Sequence, residues 1–237
     1  MRRLALALVL LILVAAGGVF AYLRYLGQAG ADPAFFSGEI EAFLAADLAD
    51  PPAPGQIVFV GSSSIRFWES LAEDMAPLRV VRRGFGGAQL SHLVHEAPRI
   101  VVPYAPRAVV VYAGDNDLAA GKSVDTVVAD FEALVRLLHA ALPETDVHFI
   151  SIKPSPLRAA LEPERHEANA RIQALAVADP HLDFIEAGSV LLGADGKPRR
   201  ELFRFDGLHL DAEGYAAWTS VIRPVLIEAY GASPVLR

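Results

Sequence analysis

Five short apolar, β-branched runs, at 56–60, 79–81, 108–112, 147–152 and 182–185, alternate along this chain with stretches of helical periodicity at 67–74, 89–102, 124–141, 163–178 and 212–230. A run such as Ala-Val-Val-Val-Tyr at 108–112 is apolar on both faces, so the strand it forms has to be covered on both sides. Strands of this kind alternating with helices specify parallel pairing through helical crossovers. The expected fold is therefore α/β, a three-layer α/β/α sandwich around a mainly five-stranded parallel sheet. A further amphipathic helix is expected over 33–50, stopped by Pro51-Pro52-Ala53-Pro54-Gly55. No repeat, low-complexity tract or linker interrupts 33–232, which reads as one domain. In an open parallel sheet, ligands bind beyond the carboxyl ends of the strands, so chemistry is sought in the loops that follow them.

Residues 1–30 stand apart from that pattern. Positions 4–23 are 20 uncharged, almost wholly apolar residues between Arg2-Arg3 and Arg24. A helix of that length spans ~30 Å, the hydrocarbon thickness of a bilayer. Ala15, Ala16, Gly17 and Gly18 could end a cleaved signal peptide, yet the apolar stretch runs on through Val19, Phe20 and Leu23, which favours an uncleaved signal anchor. The flanking arginines put the short N-terminus in the cytoplasm and the body outside it, periplasmic or extracellular, or secreted if the segment is cleaved. Three arginines and no acid fall within residues 1–31, leaving a body with 18 basic and 28 acidic groups. A net charge of −10 disfavours nucleic acid as a partner. The absence of cysteine excludes disulfides, thiolate metal sites and a cysteine nucleophile, so any chemistry runs on oxygen, nitrogen or carboxylate groups.

Four loops carry residues suited to such chemistry. Gly61-Ser62-Ser63-Ser64 after the first run puts a hydroxyl at the sheet edge and at a helix start, where an ordinary N-cap is the competing role. Gly84-Phe85-Gly86-Gly87 after the second run fits neither phosphate-loop pattern and offers exposed backbone N–H groups or a plain tight turn. Gly114-Asp115-Asn116-Asp117 after the third run fails as a calcium loop, with Ala120 and Thr126 at the positions that need Gly and Glu. Its Asn116 can donate to an oxyanion or simply form a turn. In Asp206-Gly207-Leu208-His209 the carboxylate can fold back on one imidazole nitrogen and leave the other facing a site, although a metal pair or a surface turn has the same spacing.

In order and spacing, over 55–220, these four blocks resemble those of the SGNH hydrolase superfamily, the GDSL-type esterases and lipases. The resemblance implies a flavodoxin-like fold. It also implies Ser63 as nucleophile, Asp206 and His209 as its triad partners, and Gly87 and Asn116 with the Ser63 N–H as oxyanion donors. Ser62 stands where the family name has Asp, as in relatives with a Gly-Ser-Ser-Ser-Ile-Arg block, and Arg82 stands where the glycine block usually has Asn. The run Lys153-Pro154-Ser155-Pro156 looks like a subgroup feature with no chemical step attached.

The activity implied is hydrolysis of carboxylic acyl or acetyl esters by a serine esterase, with no metal and no cofactor. The same site could serve an acyltransferase or thioesterase acting on envelope glycans or lipids. Expected partners are a small-molecule, glycan or lipid acyl ester and a membrane contacted through the N-terminal helix. His92, His95 and Glu96 superficially suggest a metal site, but the usual Glu-x-x-His frame is absent.

Overall fold

The computed structural model describes residues 32–231 together with Val14, Gly17 and Gly18. Apart from those three positions, the expected anchor or signal segment at 1–30 lies outside the described residues, as does position 232 of the expected domain. Among the described residues no helix is long and apolar enough to cross a membrane.

The chain runs α1 (Ser37–Ala49), β1 (Ile57–Gly61), α2 (Ser63–Arg66), α3 (Leu71–Asp74), β2 (Val80–Gly84), α4 (Leu90–Ile100), β3 (Ala108–Tyr112), α5 (Asp115–Ala119), α6 (Val124–Ala141), β4 (Asp146–Ile150), α7 (Glu162–Ala178), β5 (Leu182–Ile185) and α8 (Ala212–Tyr230). The strands form one sheet in the order β2-β1-β3-β4-β5, every pairing parallel. This is the flavodoxin-like order, in which the connection after β1 runs to one side and the next returns to the other.

Side chains alternate across the sheet and build two cores. Val58, Val60, Val109, Val111, Val147 and Phe149 face α4, α6 and α7, while Ile57, Phe59, Ala108, Val110 and Tyr112 face α8 and the short helices α2 and α3. Both faces of β1 and β3 are fully buried, as their apolar composition requires. Ser123 caps α6 by accepting the Thr126 N–H at 3.2 Å, and Val127, Phe131, Leu134 and Leu138 then recur on its buried face. In α8, Asp211 caps the Gly214 N–H at 2.9 Å and Trp218, Ile222, Leu226 and Tyr230 form a buried ridge at four-residue spacing.

Several boundaries differ from the sequence reading. β2 extends through Gly84, so Arg82 and Arg83 are strand residues and not part of the loop. Parallel pairing carries it there, with Phe59, Val60 and Gly61 of β1 opposite Arg82, Arg83 and Gly84. The helix expected at 67–74 shrinks to α3 at Leu71–Asp74, with the separate short helix α2 before it, and α5 interrupts what reads as a loop. α1 is shorter than 33–50 and buries only Ile40 completely, with Leu48 almost wholly exposed. In place of a broad apolar face, ion pairs dock it, Asp47 with Arg83, Glu41 with Arg99 and Glu39 with Arg66 at 3.2 Å, and Tyr104 Oη donates to Asp47 at 2.5 Å.

Candidate active site

Three neighbouring strands end together. Gly61 of β1 is in register with Gly84 of β2 and Tyr112 of β3, so Ser63, Gly87 and Asn116 each follow within four residues of one another's paired positions. Ser63 is the first residue of α2, behind Ser62, whose extended backbone turns the chain from strand to helix. Gly87 has φ of 69°, a left-handed conformation that a side chain resists. Gly114, with φ of 111°, opens α5 against Ile152, where a Cβ would lie 2.6 Å from Ile152 Cδ1.

The fourth block arrives from 146 residues away. An antiparallel bridge between Phe203 and Leu210 closes the loop that bears Asp206 and His209. Arg200 braces it by donating to the carbonyls of Phe203, Arg204 and Phe205 at 3.0, 2.8 and 2.6 Å. His209 Nε2 lies 3.0 Å from Ser63 Oγ, and His209 Nδ1 lies 2.7 Å from Asp206 Oδ2. The Leu208 and His209 N–H groups donate to Asp206 Oδ1 at 2.9 and 3.0 Å. Partial burial would raise the Asp206 carboxyl, but the bond from His209 and the two N–H groups outweigh it and hold the carboxyl at about 2. Phe67 packs edge-on against the His209 ring at 5.0 Å and limits its rotation.

On the other side of Ser63, the N–H groups of Ser63 and Gly87 donate to no acceptor among the described residues. Asn116 Nδ2 gives one hydrogen to Ala88 O at 3.1 Å, which leaves its second hydrogen uncommitted. Asp117 is fully buried, accepts the Leu90 N–H at 3.1 and 3.2 Å and pairs with Lys122 Nζ at 3.0 Å. It thereby ties α5 to the start of α4. Burial pushes the Asp117 carboxyl up to about 6, with Lys122 opposing. Glu39 of α1 accepts the Gly86 N–H at 3.2 Å, fixing the glycine loop from outside.

All five residues expected in the site thus lie at one edge of the sheet, Ser63 and Asn116 on the short helices α2 and α5 and Gly87, Asp206 and His209 on loops. Arg82, the departure in the glycine block, donates to Trp68 O at 2.8 Å and so holds the segment behind α2. His92 is buried and its Nδ1 accepts the Gln89 N–H at 2.9 Å, whereas His95 is exposed, so the two occupy different environments. Sequence reasoning gave no role to Asp115, Lys153, Arg158, Glu39 or Arg200. Only Lys153 carried a signal, through the Pro-rich run that follows it.

The model of the GDSL-like lipase/acylhydrolase family matches residues 54–217. The platelet-activating factor acetylhydrolase IB subunit alpha2 of Gallus gallus is 24% identical over 187 residues, covering 75% of this chain and 79% of that protein. A GDSL-like lipase from Bacteroides thetaiotaomicron superposes with a TM-score of 0.70 at 21% identity, over 84% of this chain and 100% of the other. A carbohydrate esterase of family 3 from Talaromyces cellulolyticus superposes with a TM-score of 0.60 at 17% identity, over 76% and 100%.

Proposed function

Because this chain belongs to the GDSL-like lipase/acylhydrolase family and is an ester hydrolase of the SGNH type, we propose that it works through a Ser63–His209–Asp206 triad with an oxyanion hole made by the N–H groups of Ser63 and Gly87 and the side-chain amide of Asn116. The observation that carries this reading is the 3.0 Å contact between His209 Nε2 and Ser63 Oγ.

As Ser63 Oγ attacks the ester carbonyl, its proton passes to His209 Nε2 and the new C–O bond leaves a tetrahedral oxyanion on the three donors. Asp206 keeps the Nδ1 proton in place and stabilises the imidazolium. Collapse breaks the bond to the leaving alcohol, which takes the proton from His209. Water then gives a proton to His209 and attacks the acyl-Ser63 ester, and the second collapse releases the acid and restores the Ser63 hydroxyl.

Short acyl esters, acetyl above all, are the proposed substrates, on the strength of the Gallus gallus relative named as an acetylhydrolase. Transfer of the acyl group to a sugar hydroxyl would use the same steps with the alcohol in place of water, and product analysis with added acceptors separates the two. We also infer that residues 4–23 hold the catalytic domain at a membrane, facing away from the cytoplasm. The test of the triad is hydrolysis of p-nitrophenyl acetate by the purified full chain. Ser63→Ala should lose essentially all turnover, and equal rates for the two proteins would refute the assignment.

A further inference from the structure

The run Lys153-Pro154-Ser155-Pro156 leads into a 3₁₀ turn, Pro156–Leu161, that presses Arg158 against the oxyanion side of the site. Two anchors hold this segment. Asn169 of α7 accepts the Ile152 N–H at 2.8 Å and donates to the Ile152 carbonyl at 2.9 Å, and the Leu157 N–H donates to Gly207 O at 3.0 Å, in the loop between Asp206 and His209. Arg158 Nη2 then donates to Asn116 Oδ1 at 2.7 Å, while its Nη1 pairs with Asp115 Oδ2 at 2.8 Å. Lys153 Nζ lies 3.5 Å from the same Asp115 oxygen, and the three charged side chains are each at most a tenth exposed.

We propose that Arg158 is a positioning residue for the oxyanion hole, holding the Asn116 amide in its working orientation and polarising it toward the developing charge. This rests on Asn116 being an oxyanion donor. A guanidinium only donates and the Ala88 carbonyl only accepts, so the amide has one orientation that satisfies both. In that orientation the remaining Nδ2 hydrogen is the group left for substrate. A cation on Oδ1 draws electron density from the amide and strengthens that hydrogen as a donor. Asp115 keeps the buried cation compensated. Its own burial is offset by Arg158 and Lys153, which together hold the carboxyl below the usual range. A flipped amide would set Asn116 Oδ1 against both the oxyanion and the Ala88 carbonyl and Nδ2 against the guanidinium, losing a donor and creating three repulsions.

The test compares wild type, R158K, R158M, N116A and the double variant N116A/R158M as full chains on p-nitrophenyl acetate, with near-ultraviolet circular dichroism to establish native packing. Removing one oxyanion donor typically costs ~10²–10³ in rate. R158M should therefore lower kcat by about tenfold or more within that ceiling, with KM changed less than about twofold. The double variant should be no slower than N116A alone. R158K, which keeps the charge but lacks the planar fork, should fall between wild type and R158M. It carries the same cycle with N116A if the methionine variant does not fold. An unchanged kcat in R158M, a change confined to KM, or a double variant slower than N116A by the full R158M factor would overturn the proposal while leaving the hole intact. N116A at the wild-type rate would instead overturn the assignment of Asn116, and this proposal with it.

Discussion

Asp206 shows how much a few hydrogen bonds set at the scale of one residue. Its carboxylate accepts from His209 and from two backbone N–H groups, which keeps it ionised down to about pH 2. A carboxyl whose folded value is depressed adds stability that is present above its unfolded value and is lost as pH falls through the folded one. The stability difference between wild type and Asp206→Asn should thus shrink as pH is lowered from about 5 toward 2, as read by urea denaturation at several pH values. Asn116→Ala should cost ~10²–10³ in kcat, because the second Nδ2 hydrogen is the one left for the charged transition state. The residues proposed for a direct chemical part were legible in the sequence through the resemblance of the four blocks to the family, since each block alone left a cap, a turn or a metal pair open. Arg158, Glu39 and Arg200 were not, since an arginine or glutamate gains its part only from what the fold sets beside it, and nothing in their local sequence names Asn116, Gly86 or the Phe203–Phe205 carbonyls as partners.

At the scale of elements, strands and long helices could be read because burial writes itself as periodicity. Ala108–Tyr112, Leu182–Ile185, Val124–Ala141 and Ala212–Tyr230 fall at the positions read from sequence. The failures have physical causes. Arg82 and Arg83 look like loop residues, yet they lie in β2 because Arg82 reaches the Trp68 carbonyl and Arg83 is neutralised by Asp47. α1 lacks a strong apolar face and is placed by ion pairs, which leave no period in the sequence. Its Glu39 reaches the glycine loop, so Glu39→Ala should lower kcat several-fold while costing only about 1 kcal/mol of stability, as expected for a half-exposed charge-assisted contact. Asp117 sits differently, buried between Lys122 and the start of α4. Asp117→Ala leaves the buried Leu90 N–H without its acceptor, while Lys122 keeps Asp130 at 2.8 Å, and should cost about 1–3 kcal/mol in urea unfolding.

Across the whole molecule, one sheet edge gathers every residue assigned to chemistry, because the β2-β1-β3 order brings three strand ends side by side and Tyr215 of α8, donating to Ser64 O at 2.9 Å, pins the start of α8 and the fourth loop before it to α2. Phe36, just before α1, packs on Phe85 of the glycine block with ring centroids 5.5 Å apart. With residues 4–23 proposed as an anchor, the full chain should sediment with membranes, resist alkaline carbonate and be released by detergent. Release by carbonate alone would count against the anchor. The central claim is that Ser63 is the acylated nucleophile. Brief reaction of the full chain with p-nitrophenyl acetate, acid quenching and peptide mass spectrometry tests it most directly. An acetyl group on the peptide containing Ser63, absent from Ser63→Ala and from a heat-denatured control, is the predicted result. Turnover with no modification at Ser63, or with the acetyl group on another residue, would contradict it.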